Sequence, residues 1–294
     1  MTSRVSDASM QSVALRHLRN NLSAVEEARE RVSSGMRIRK PSDDPEGATT
    51  VMRLESRLRG VEQRRANIRA GRRRLSTEEG VLSQLTDILS RARELGTREA
   101  SDTANSETRQ QTQNEIDSLI ESVKSLGNTK LNDSYLFGGD YADQAPIEPD
   151  GTMSPDTPSG THRVKVGEGR TVRTNHDAQE IFFDSGMMSS MQDLSAALGS
   201  NDREDIAAAA SDVDDAFGDI QELLGEVGAR MNELESAGKT LESLESNLTE
   251  SRAETEEVAL EKAVTELASR QTALQSAMYA ISETQNTSLL QFLR

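Results

Sequence analysis

Cysteine and tryptophan are both missing from this 294-residue chain, and aromatics make up only 3% of it. Without cysteine there is no disulfide, no thiolate metal site and no thiol nucleophile. Hydrophobic residues reach only 34%, too few and too small to fill a three-layer enzyme core. Runs of β-branched and aromatic residues are scarce as well, which argues against a large sheet. No eighteen apolar residues run together, so no spanning helix and no membrane insertion are expected. The first residues, Met1 to Asp7, lack the apolar stretch of a cleavable secretory leader.

What is present is periodicity at the two ends. Leu15, Leu18, Leu22, Val25 and Val32 follow a three-four spacing broken only by Arg29. Leu260, Val264, Leu267, Leu274, Met278 and Ile281 do the same, broken only by Gln271. A repeat of 3.5 residues makes a thin seam, suited to pairing helices with each other. The expected fold is mainly α: an elongated helical bundle or coiled-coil rod, with paired N- and C-terminal helices and the rest inserted between them. Leu289, Leu290 and Phe292 add an apolar tip to a chain of mean hydropathy −0.64. At about 25 cal/mol per Å² of apolar burial, a two-helix seam barely offsets conformational entropy, so these side chains are candidates for an assembly interface.

The formal charge is −16, unevenly spread. The first 74 residues hold 17 of the 34 basic groups and 9 of the 50 acidic ones. Interleaving of these charges at helical spacing, with no stacking aromatics, favours a solvated helix face over nucleic-acid binding, even at Arg72-Arg73-Arg74.

The first helix is expected from about Ser6 to Ser34, stopped by Gly35. Pro41 and Pro45 interrupt the next stretch, and Ser42 or Asp44 caps a long second helix with Pro45 in its first turn. Within it Gly60, Gly71 and Gly80 read as close-contact points or bends, and the stripe broadens around Leu85, Ile88, Ala92 and Leu95. A break lies between Gly96 and Ser106, and a third helix ends at Gly127-Asn128. Four of the six prolines then fall between Pro146 and Pro158. Residues 163–173 alternate as a β-hairpin, and Ile181-Phe182-Phe183 reads as a further strand. Helix resumes near Ser189, pauses at Gly199-Ser200-Asn201, and runs on to a polar interval, Thr249 to Glu257, read as a hinge.

Candidates for chemistry are weak. His162 and His176 flank the hairpin without a third ligand, and His17 lies on a solvated face. Asp133, Asp140, Asp143 and Asp150 lack calcium-loop spacing and fit turn chemistry. Asp212, Asp214 and Asp215 read as a solvated patch. Neither a phosphate-binding loop nor a Gly-x-Ser-x-Gly elbow occurs. No cofactor, metal or catalytic residue is expected.

Ser33-Ser34-Gly35-Met36-Arg37-Ile38, Pro41-Ser42-Asp43-Asp44-Pro45 and Ala48 resemble the first helix junction of the bacterial flagellin superfamily. Asn67, the stretch Gly225 to Glu235 and the terminal Ser288 to Leu293 are similar to it too. Asn128-Thr129, Tyr135-Leu136-Phe137-Gly138-Gly139 and Pro146 resemble its hook-associated protein 3 branch, although Ile147 stands where that branch typically has Phe. The resemblance implies a paired-helix layer of 1–40 with 255–294, a helical layer of 45–140 with 188–250, and an exposed β-rich insertion at 141–187. It implies an adaptor joining hook to filament, with filament flagellin as the alternative and a cytosolic coiled-coil regulator as a distant one. The implied partners are further copies of itself, the first hook–filament junction protein, flagellin and a flagellar export chaperone. The implied location is the extracellular flagellum, reached through the flagellar type III channel.

Overall fold

The computed structural model describes residues 2–101, 104–154 and 160–292, with side chains described between residues 12 and 282 of these. Six α-helices account for most of them: α1 (Thr2–Ser34), α2 (Pro45–Glu99), α3 (Ser106–Gly127), α4 (Met187–Ser200), α5 (Arg203–Glu256) and α6 (Leu260–Phe292). Between α3 and α4 lie two hairpins, β1 (Lys130–Leu131) with β2 (Ser134–Tyr135) and β3 (Arg163–Lys165) with β4 (Thr171–Arg173), both antiparallel. The fold is mainly α with a small β insertion, as the composition requires. The chain divides into two compact units, Met1–Arg59 with Glu245–Arg294, and Gly60–Leu244; α2 and α5 contribute to both.

In the first unit, α1 packs against α6. The pairing is antiparallel, because Met36 bridges to Glu257 while Arg31 pairs with Glu266 at 3.6 Å. Helix α1 stops where expected: Gly35 adopts φ +70°, a left-handed conformation that costs glycine little, and its N–H closes on the Arg31 carbonyl at 3.0 Å. Asp44 is the cap of α2, its Oδ1 accepting from the Gly47 N–H at 2.9 Å.

The second unit has the denser core. Leu75, Leu82, Leu85, Leu89, Ala92 and Leu95 on α2 are fully buried, together with Ile116 and Val123 on α3 and Ile206, Val213 and Ile220 on α5. The broadened stripe read around Leu85 to Leu95 is therefore buried on more than one side. Of the three glycines singled out on α2, only Gly71 is a close-contact point: a Cβ there lies 2.9 Å from Thr174 Cγ2 and 3.1 Å from Val164 Cγ2. Gly60 and Gly80 have nothing within 4 Å of that position.

Several local expectations are corrected. Ile181-Phe182-Phe183 is not a strand but part of a π-helical turn, Gln179–Asp184. Packing decides this, because the turn buries Ile181 and Phe182 on one side, where Phe182 meets Phe137 edge-on at 5.5 Å. The polar interval Thr249 to Glu256 stays helical, and the interruption is confined to Glu257–Ala259. Arg74 is not on a solvated face. It is half-buried, donates to the Leu136 carbonyl, and is held below the ordinary arginine pKa by desolvation.

Candidate assembly interface

The two stripes read from the sequence lie on α1 and α6, and those helices pair. Pairing covers them incompletely. Val25 is buried, and Leu18, Val32, Leu267, Leu274 and Ile281 are half-buried. Leu15, Leu22, Leu260, Val264 and Met278 remain 50%, 51%, 58%, 49% and 48% exposed. The most buried side chains on the two helices are instead Ala28 and Ala263, at 3% and 4% exposure. A scan for large apolar residues missed both alanines, although small side chains let helix axes approach closely. Side chains of Leu289, Leu290 and Phe292 lie outside the described residues. Covering the exposed halves of the five open side chains contributes about 1 kcal/mol each.

The α1–α2 loop is stitched to the α5–α6 junction. Arg37 and Ile38 N–H groups both donate to the Glu256 carbonyl, at 2.7 and 3.3 Å, and the Val258 N–H donates to Gly35 at 2.9 Å. Arg37 adds one guanidinium hydrogen bond to the Thr255 carbonyl at 2.8 Å and another to Asp44 at 2.9 Å. The Gly47 N–H and then Arg37 hold the Asp44 carboxyl below its ordinary pKa. Ile38 is buried under this clip, and its Cδ1 occupies the space a Cβ on Gly47 would need. The Ser34–Ala48 segment thus fixes where α1 and α6 begin their pairing.

A second polar cluster sits in the other unit. His176 is buried, and its Nε2 accepts from Arg230 Nη1 at 2.7 Å. Arginine only donates, so the proton lies on Nδ1, which donates to buried Glu78 Oε1; the His176 backbone N–H donates to the same oxygen at 3.2 Å. Arg230 also pairs with Glu226 at 2.6 Å. His162 lies apart, its ring facing the Gly139 carbonyl at 3.2 Å. Among the described residues no three ligating side chains gather as a metal site. The acids read as turn formers behave so: Asp133 follows Asn132 with positive φ at both in the two-residue β1–β2 turn, and Asp150 Oδ1 accepts from Thr152. Ile147 occupies its departing position buried, its backbone held in both directions by the Asn128 amide at 2.9 and 3.1 Å.

These features define a class: a mainly helical protein whose chain ends pair with one another and still present apolar side chains to the outside. Comparison with known sequences makes the class specific. The bacterial flagellin N-terminal helical region matches residues 5–142 and the bacterial flagellin C-terminal helical region matches 210–293. The chain belongs to the flagellin family.

Among curated relatives, the flagellar filament 30.7 kDa core protein of Treponema maltophilum is 33% identical over 114 residues, 38% of this chain and 40% of that protein. A flagellin of Clostridium tyrobutyricum is 29% identical over 131 residues, 44% of this chain and 35% of that one. The matches thus span well under two thirds of either relative. In three dimensions, a putative flagellar hook-associated protein from Vibrio parahaemolyticus superposes with TM-score 0.67 at 22% identity, over 73% of this chain and all of the other. Flagellar hook-associated protein 3 of Legionella pneumophila gives 0.62 at 16%, over 68% and 97%. These likenesses establish the shared fold.

Proposed function

We propose that this chain is a structural subunit of the bacterial flagellum that sits at the junction of hook and filament and assembles with copies of itself through its paired terminal helices. The half-exposed seam on α1 and α6 carries this reading. Five large apolar side chains left open on a hydrophilic chain are stable in water only at a cost that neighbouring subunits remove. The hook-associated protein 3 fold favours the junction over the filament shaft. Its partners are then the first junction protein on one side and flagellin on the other, with an export chaperone escorting the chain through the type III channel to the extracellular flagellum. In this reading the subunit consists of a paired-helix layer at 1–40 with 255–294, a helical layer at 45–140 with 188–250 and a β-rich insertion at 141–187. No catalytic step belongs to this role.

A second reading, filament flagellin, is favoured by one observation: the curated relatives are filament proteins and flagellins. Polymerisation separates the two. Seeded with flagellar fragments, the purified chain adds a short cap and stops if it is a junction subunit, whereas long filaments identify flagellin. In dilute solution, proteolysis removes about the first and last forty residues before cutting Gly60–Leu244. Termini fully protected in the monomer would sink both readings.

A further inference from the structure

The imidazole of His176 lies between two helices, with a different kind of partner on each nitrogen. From α2, Glu78 Oε1 accepts both the ring Nδ1–H and the His176 backbone N–H. From α5, Arg230 Nη1 donates to Nε2 at 2.7 Å. A third group stands beside that nitrogen: Glu226 Oε2 lies 3.4 Å from Nε2 and accepts from Arg230 Nη2 at 2.6 Å. Nε2 thus has a donor and an acceptor within reach at once, and its own protonation decides which of them it bonds.

The neutral ring takes the arginine, because its bare nitrogen carries a lone pair. A proton on Nε2 reverses this. The ring N–H and the Arg230 N–H then point at each other, and two cations touch where one hydrogen bond had been. Glu226 closes about half an ångström to reach the length of a charge-assisted bond. Access differs between the two sides of the ring as well. His176 and Glu78 are buried, whereas Arg230 is 19% and Glu226 47% exposed. Protons therefore reach the ring from the α5 side, past Arg230, and the guanidinium has water to turn into when it leaves.

The surrounding charges accommodate the change. Helix α2 supplies Glu78 and, one turn earlier, Arg74; α5 supplies Glu226 and Arg230. The segment of His176 itself supplies Arg173, Asp177 and Glu180. Four carboxyls thus face three guanidiniums, so one positive charge on the ring leaves no excess of cations.

We propose that His176 is a proton-operated switch, in which protonation of Nε2 exchanges Arg230 for Glu226 while Glu78 holds the ring in place. Neutral, the ring ties Arg230 to the segment that follows β4. Charged, it releases that guanidinium to the surface and draws in the Glu226 carboxylate. Histidine is the side chain that ordinarily changes charge between pH 5 and 8, which sets the range to search. The switch stands or falls independently of where the chain sits in the flagellum.

Full-length protein with 15N-labelled histidine and arginine is followed by NMR from pH 8 to pH 5. The three histidines give three ring signals, and His176→Gln identifies the relevant one by its loss. At pH 8, Nδ1 of His176 is expected to carry a hydrogen and Nε2 none. On acidification Nε2 gains its hydrogen and the Arg230 guanidinium signal, assigned by its loss in Arg230→Met, changes with the same midpoint; Nδ1–H persists throughout. Two variants should move that midpoint in opposite directions, each by about half a pH unit or more: Glu226→Gln lowers it and Arg230→Met raises it. A histidine that only fills space would show neither shift. Burial raises the pKa of neighbouring Asp177, so Asp177→Asn serves as the control and should leave the coupled transition in place. Four results would each overturn the proposal: hydrogen already on Nε2 at pH 8, no protonation down to pH 5, an Arg230 signal that stays constant while the ring titrates, or midpoints that shift the same way in both variants.

Discussion

Arg37 donates a hydrogen bond to the Thr255 carbonyl at 2.8 Å, joining two residues 218 positions apart. The same guanidinium holds Asp44 at 2.9 Å, so one side chain links the end of α1, the start of α2 and the end of α5. A loop that looked like a helix break in the sequence is the fastener of the terminal pair.

Removing that fastener should loosen the pair locally. Arg37→Ala is expected to cost about 1 kcal/mol, since the side chain is partly solvated and its hydrogen bonds compete with water. Hydrogen exchange at the Ile38 and Val258 amides should quicken several-fold, while the amides of α3 stay unchanged.

The clip should also respond to acid. Asp44 has its pKa depressed by the Gly47 N–H and by Arg37. A depressed carboxyl stabilises the fold above its ordinary value, about 4, and loses that contribution as pH falls through the folded value. Asp44→Asn should therefore weaken the clip at pH 7 and leave a smaller difference from the parent near pH 3, measured by exchange at Ala48.

Glu78 and His176 offer a sharper stability test. Glu78→Ala leaves the His176 Nδ1–H and its backbone N–H without their buried acceptor. A loss of about 2–4 kcal/mol is expected in urea unfolding of the full chain. Arg170→Ala, which removes an exposed pair with Glu233, should cost less than about 0.5 kcal/mol.

Glycine substitutions on α2 should divide by environment. Gly71→Val is expected to destabilise by about 1–3 kcal/mol, because its Cβ meets Thr174 and Val164 too closely. Gly80→Ala, with open space around it, should stabilise by up to about 1 kcal/mol. Thermal unfolding measures both.

Leu274→Asp with Ile281→Asp should leave thermal unfolding of Gly60–Leu244 unchanged while abolishing attachment of filaments. Cells that still carry attached filaments and swim would contradict the role given to α6.

Much of the fold was legible because heptad spacing, helix stops and capping are local properties of the chain. The seams at Leu15–Val32 and Leu260–Ile281, the stop at Gly35 and the cap at Asp44 were each read from a few neighbouring residues. Ile181-Phe182-Phe183 was misread because a short apolar run has no period of its own, and Phe137 decided its conformation. Arg74 was misread because charge implies solvent only where no other element covers the helix. Ala28 and Ala263 went unnoticed because a small residue signals close packing only when its partner helix is known.

The sequence by itself determined that this is a helical chain with pairing ends and an inserted β-rich stretch, since turn chemistry and apolar spacing act within a few residues. Tertiary structure alone decided which seam residues stay open and which histidine is clasped between Glu78 and Arg230. Those depend on which distant segments meet, and exposure is a property of the neighbour as much as of the residue.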